Sequence, residues 1–104
     1  MFLAKVVGTV VSTQKDPKLV GLKLLLAQQL TLDLQPTSSF VVTADAVGAG
    51  KDEIVVCATG SSARLTEVTK NLPVDAVIMA IVDSLEVEGK IVYRKVPEEA
   101  IIPA

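Results

Sequence analysis

Apolar and polar positions alternate with a period of two along much of the chain, the spacing of strands that turn one face to a core. In residues 2–13, FLAKVVGTVVST, Ala4, Val6, Gly8 and Val10 share one face, while Lys5, Thr9 and Thr13 mark the other. The β-branched content predicts a strand, and Gly8, with no side chain to pack, predicts a bulge or bend within it. Residues 14–21, QKDPKLVG, read as a loop around Asp16-Pro17. Residues 22–30, LKLLLAQQL, are good helix formers, with Leu22, Leu25, Leu26 and Gln29 at helical spacing. Yet Leu22, Leu24 and Leu26 also alternate, and the segment follows a strand and a loop as a second hairpin arm would, so a strand is expected.

Residues 31–39, TLDLQPTSS, form a polar, proline-containing connection. Residues 40–44, FVVTA, and 53–58, EIVVCA, are expected as a hairpin-like pair of strands around Gly48-Ala49-Gly50. After Gly60-Ser61-Ser62-Ala63-Arg64, the spacing of Leu65, Val68 and Leu72 predicts one short helix capped by Ser61 or Ser62. Residues 76–82, AVIMAIV, are apolar at both parities and predict a fully buried strand. A Gly89 turn leads to a last strand at 91–96. The expected architecture is therefore all-β with small α content, either a small barrel of the OB type or a compact sandwich. It is a single domain over residues 1–96, followed by a tail, 97–104, that is either loose or laid on a neighbouring subunit through Ile101-Ile102.

Composition sharpens this picture. Half of the 104 residues are apolar, more than a single small core absorbs, which points to surface buried against other copies. A net charge of −2 and three aromatics, Phe2, Phe40 and Tyr93, argue against a nucleic-acid surface. No uncharged run reaches the ~18 apolar residues of a membrane helix. Met1 leads straight into strand-like sequence without a signal-peptide pattern, so a cytosolic protein is expected.

The stretch 45–64, DAVGAGKDEIVVCATGSSAR, packs two glycine-rich turns around one apolar strand and holds the candidate chemistry. Gly48-Ala49-Gly50 resembles the opening of a dinucleotide fingerprint, but Glu53 stands where the third glycine belongs, and a β-branched run follows instead of a helix. Gly50-Lys51 fails as a phosphate loop because Asp52 replaces the required Ser or Thr. With no histidine, a serine triad built on Ser61 or Ser62 lacks its base, and a zinc site lacks ligands. The lone Cys57, in an apolar strand, is expected to be buried and inert. The carboxylate pairs Asp52/Glu53, Glu86/Glu88 and Glu98/Glu99 read as solvated surface, with Glu86 and Glu88 sharing a strand face. Arg64 is either a solvent-facing helix residue or a guanidinium offered to a carboxylate across a subunit boundary. No catalytic, cofactor-binding or metal residue is assigned.

Taken in order, LAKVVGTVVSTQK (3–15), GLKLLLAQ (21–28), DAVGAG (45–50), GSSAR (60–64), PVDAVIMAIVD (73–83) and VYRK (92–95) resemble the bacterial microcompartment vertex proteins, a family that includes ethanolamine-utilisation and carboxysome members. The resemblance implies an OB-like five-stranded β barrel with one short helix and an additional hairpin. It implies a non-enzymatic homopentamer that caps the five-fold vertices of a cytoplasmic protein shell beside hexameric shell proteins, with a narrow central opening. It places Gly48, Ala49, Gly50, Ser61, Ser62 and Arg64 at subunit contacts or around that opening. Cofactor, nucleic acid and membrane have no part in it. The chain departs from the family pattern at Asp52 and Ala80, where relatives commonly carry glycine. The alternative is an OB-type binding module for nucleic acid or another small ligand.

Overall fold

A computed structural model describes residues 1–95. Seven strands occur in the order β1 (Phe2–Val10), β2 (Leu24–Leu30), β3 (Pro36–Asp45), β4 (Ile54–Thr59), β5 (Ala76–Ile81), β6 (Ser84–Val87) and β7 (Lys90–Arg94). The first five close into a barrel in the order β1-β2-β3-β5-β4, and β6 and β7 form a separate two-stranded sheet. The all-β barrel with an additional hairpin is thus as expected. The Leu-rich segment 24–30 is a strand, paired with β1 on one side and β3 on the other. Burial of alternate leucines outweighs its local helix propensity. The expected bulge appears as a register shift between Val6 and Gly8; it turns Gly8 and Val10, opposite the outward Leu26 and Leu24, off the inner face they were expected to share with Ala4 and Val6.

Four expectations are corrected. Residues 36–39, expected within a polar connection, are the start of β3, with Pro36 opposite Leu30 at the edge of the ladder. The segments 40–44 and 53–58 do not pair: β3 lies beside β2 and β5, and β4 lies between β1 and β5. Closing the barrel inserts β5 between them, in parallel to β3 through Ala44–Val77 and Asp45–Ile78. Residues 65–72 do not form a helix; a 3₁₀ turn spans Gly60–Arg64 and irregular turns follow. There Thr66 Oγ1 accepts from the Thr69 N–H, Asn71 adopts φ 61°, and Pro73 follows. Such side-chain competition and left-handed backbone stop a helix from propagating. Finally, β5 is not buried throughout: Ala76, Val77 and Ile78 are, but Met79 is 39% exposed and Ala80 is exposed. Past Ile78 the strand has no neighbour on the β3 side, so Ala80 adds its methyl at the surface.

The wall has two apolar faces. Inside are Ala4, Val6, Leu25, Ala27, Val55, Cys57 and Ile78, contributed by alternate positions of the strands, with Phe2, Val41 and Ile81 packed against them. Outside, Ala44, Ala58 and Val77 form a second cluster beneath Ala63 and Val74, so the 3₁₀ turn and the chain after it cover part of the outer wall. The last strand, expected at 91–96, runs over Lys90–Arg94; Val96 and the tail 97–104 lie outside the described residues.

Candidate functional site

The two glycine-containing turns flank β4, one before Ile54 and one after Thr59, and a strand of six residues holds them ~20 Å apart. Gly48, Ala49 and Gly50 are therefore brought together, as are Ser61, Ser62 and Arg64, but the two groups are not brought to each other.

The first turn is an internally bonded plug. Asp45, which is 8% exposed, accepts at Oδ1 from the N–H groups of Val47 and Gly48, both at 3.0 Å. Its Oδ2 lies 3.7 Å from Lys23 Nζ, which itself donates to the Ala49 carbonyl at 3.0 Å. Ala49 is wholly buried against the inner cluster and closes that end of the barrel. Gly48 has φ 75°, a conformation that disfavours side chains. Gly50 donates to Glu53 Oε1 at 2.6 Å, and Asp52 donates to the Val6 carbonyl at 2.8 Å. An anion-binding turn needs backbone N–H groups that point at the ligand. Here those of Val47, Gly48, Gly50 and Asp52 already have protein acceptors. Asp52 holds φ 68°, a left-handed conformation that side chains disfavour.

Glu53 does more than the sequence suggested. Besides Gly50 it takes an ion pair from Lys95, 42 residues away, at the end of β7. The Lys95 hydrogen bond and then the Gly50 N–H hold its carboxyl below the ordinary 4.5, while the same contact raises Lys95. Two backbone bonds, Val82 N–H to Ile54 O at 2.8 Å and Lys95 N–H to Asp83 O at 2.7 Å, complete the base of the hairpin. No local pattern announces a partner so far along the chain.

The second turn lies on the outer wall. Gly60 has φ 67° and donates to the Asp75 carbonyl at 2.9 Å. Ala63 is buried, and its carbonyl accepts from the buried Thr69 hydroxyl. Ser61 and Ser62 are exposed, with no base within the turn. Arg64 is exposed and donates from Nη1 to the Val74 carbonyl at 3.3 Å, which leaves most of its fork directed outward.

Elsewhere the chemistry is sparse. A cavity of about 270 Å³ beside β1 and β2 has the half-buried Lys5 and the exposed Asp52 on its rim, 3.8 Å apart. Burial pushes the Cys57 thiol up to about 11, so it stays protonated at neutral pH. Glu86 is in β6, whereas Glu88 occupies the following turn at φ 50°, so the two do not share a strand face. Glu98 and Glu99 lie outside the described residues. Among the described residues, no group of three His, Cys, Asp or Glu side chains is placed to hold a metal ion.

These features define a class: a five-stranded OB-type barrel, plugged at one end, partly sheathed outside, with a hairpin projecting from its wall. The family described as "Ethanolamine utilisation protein EutN/carboxysome" matches residues 1–83, and the chain belongs to it. It is 44% identical to the carboxysome shell vertex protein CcmL of Gloeobacter violaceus over 91% of this chain and 95% of that one. The solved structure of the Gloeobacter protein superposes with a TM-score of 0.88, covering 91% of this chain and 98% of that one. The CcmL of a Nostoc species is 48% identical over the same share of this chain and 95% of its own. The pentameric microcompartment shell protein GrpN of Rhodospirillum rubrum gives a TM-score of 0.76 at 47% identity, over 84% of this chain and all of that one.

Proposed function

We propose that this chain is a structural shell vertex protein, five copies of which form a ring that caps the five-fold vertices of a bacterial microcompartment in the cytoplasm. The observation that carries this reading is the likeness to pentameric GrpN over 84% of the chain. Flat hexagonal tiling cannot close into a polyhedron without five-fold plugs, so the work of such a protein is geometric: copy number, edge shape and a ring that closes on itself through head-to-tail contacts. It is no enzyme, and its partners are its own copies and the hexameric tiles of the shell.

Within the ring, Gly48 and Gly50 serve one end of the barrel and Ser61, Ser62 and Arg64 the outer wall, as subunit contacts or around a narrow central opening, whereas Ala49, expected beside them, is wholly buried in its own barrel and touches no neighbour. The small exposed residues let a neighbouring backbone approach closely, and the outward part of the Arg64 fork suits a carboxylate or carbonyl of the next copy. Native mass spectrometry of the purified chain tests the reading directly. A species at five times 10.9 kDa is expected; a stable monomer at micromolar concentration would overturn it. Gly48→Val forces a β-branched side chain into the left-handed conformation, and a lower yield of rings is expected. A normal yield removes Gly48 from the assembly.

A further inference from the structure

We propose that the segment after β7, residues 96–104, docks on the outer wall of its own barrel, seating Ile101 and Ile102 in the cavity beside β1 and β2 and so strapping down the base of the hairpin. The strap works within one chain and needs no ring.

Val55 and Cys57 point into the barrel, as do Ala4 and Val6, so Ile54 and Lys5 point out. With Val7, Leu30, Leu34 and Pro36, Ile54 makes the cavity apolar at five of its eight lining residues, so an aliphatic occupant suits it. Of the polar ones, Gln28 is already engaged, its Nε2 donating to the Thr37 carbonyl at 2.8 Å. A space of about 270 Å³ falls just short of the ~300–1,000 Å³ of small-molecule pockets, and takes side chains of a peptide more readily than a cofactor. Backbone strain is concentrated at the same place. Four non-glycine residues among the described ones hold a left-handed φ, and two of them, Leu34 (62°) and Asp52 (68°), line this one cavity from separate loops. Leucine tolerates that conformation poorly. Residues so strained persist where their surroundings hold them, and ligand clamps are among the places where they gather.

The occupant follows from where the described chain stops. The Lys95 N–H bonds to the Asp83 carbonyl, and Val82, next to Asp83, bonds to Ile54 in the cavity wall. Through those two contacts the Cα of Lys95 lies within ~15 Å of that of Ile54. Six extended residues span ~20 Å, so Ile101, the sixth after Lys95, reaches the cavity of its own barrel, with Ile102 beside it. Charge does not recruit the segment. The lining holds one charge of each sign, Lys5 and Asp52, 3.8 Å apart. The residues next to the lining in the chain and those at the hairpin base add Lys51, Arg94 and Lys95 and, against them, Asp33, Glu53 and Asp83. The wall is therefore balanced, and the segment brings Glu98 and Glu99. Apolar burial is what holds the strap, and salt should not release it.

Two full-length variants test the strap. Ile101→Asp/Ile102→Asp leaves the inner core untouched, so circular dichroism should hold while amide exchange in residues 28–36 and 52–54 rises roughly tenfold as the covering side chains are lost, at low and high salt alike. Unchanged exchange overturns the docking, and a difference that vanishes at high salt overturns its apolar basis. Because Cys57 is buried, a Leu34→Cys/Ile102→Cys chain has two accessible thiols, which a short bismaleimide should join. Light and isotope-labelled copies of that chain, refolded together, should give cross-linked peptide pairs that are all light or all heavy. Mixed pairs overturn the strap and assign the cavity to the segment of a neighbouring copy; the lack of any pair between the two positions overturns the cavity as its seat. A chain that proves monomeric fails the ring reading and still gives all-light and all-heavy pairs, so the two failures are distinct.

Discussion

The barrel and the hairpin are built from the same residue types but rest on different physics. In the barrel each strand has neighbours on both sides, inner side chains of all five strands join one cluster, and Ala49 seals one end. Closure supplies backbone partners and core at once. Among the described residues the hairpin has one pairing, closed at its base by Lys95–Asp83, no interior, and two links to the barrel, Val82–Ile54 and Glu53–Lys95. Its turn is strained toward the left-handed region at Glu88 and Gly89, with φ 50° and 80°, which suits the twist of a two-residue connection. Elements so similar in composition therefore differ in independence: the barrel carries its own core, and the hairpin depends on its attachment to the barrel.

Ile78→Ala should expose the difference most. It removes a fully buried side chain at the centre of the inner cluster, and a loss of ~2–5 kcal/mol is expected in urea unfolding, shared by the whole barrel. Unaltered stability would mean that the interior is not the source of cohesion. Gly89→Val is expected to cost ~1–2 kcal/mol by placing a side chain at positive φ. The cost should fall on the hairpin alone, read as faster amide exchange in β6 and β7 with barrel protection kept. Exchange that rises equally in both regions would show the two to be one cooperative unit.

Glu53→Gln is the mildest. It keeps an acceptor for the Gly50 N–H but removes the charge that holds Lys95, so hairpin exchange should rise slightly with Tm almost unchanged. Acid should mimic it. The Glu53 carboxyl is held below 4.5, so its contribution is complete above that pH and is lost as pH falls through the lower folded value. Lys95 is raised above 10.5, so its contribution is complete below that pH and is lost as pH rises through the higher folded value. Hairpin exchange corrected for its intrinsic pH dependence should be flat between those limits. A change near neutral pH would assign the tether to another group.

Much of the local structure was legible in the residues. Alternation located the strands, including the ambiguous leucine segment; Gly8 marked its bulge, and Gly48, Gly60 and Gly89 each occupy a left-handed turn position. Those features depend on neighbours a few residues away, and the chain carries them in its order. The helix expected from Leu65, Val68 and Leu72 failed for a local reason that spacing ignores: the Thr66 hydroxyl and Asn71 claim the backbone first.

What the sequence determined alone was where the apolar parts of the strands lie, though not that β3 already begins at Pro36, where the chain must turn, and that no acid–base, metal or nucleotide constellation is spelled out in it. Only tertiary structure decided that β5 separates β3 from β4, that the two small-residue turns lie at opposite ends of a strand, and that Glu53 meets Lys95. It also decided which side of the doubly apolar β2 is sheathed and which is left open. The reason is physical: local conformation follows from sterics within a few residues. Pairing, closure and cover join segments tens of residues apart, where several matches satisfy the same alternation and only simultaneous burial selects among them.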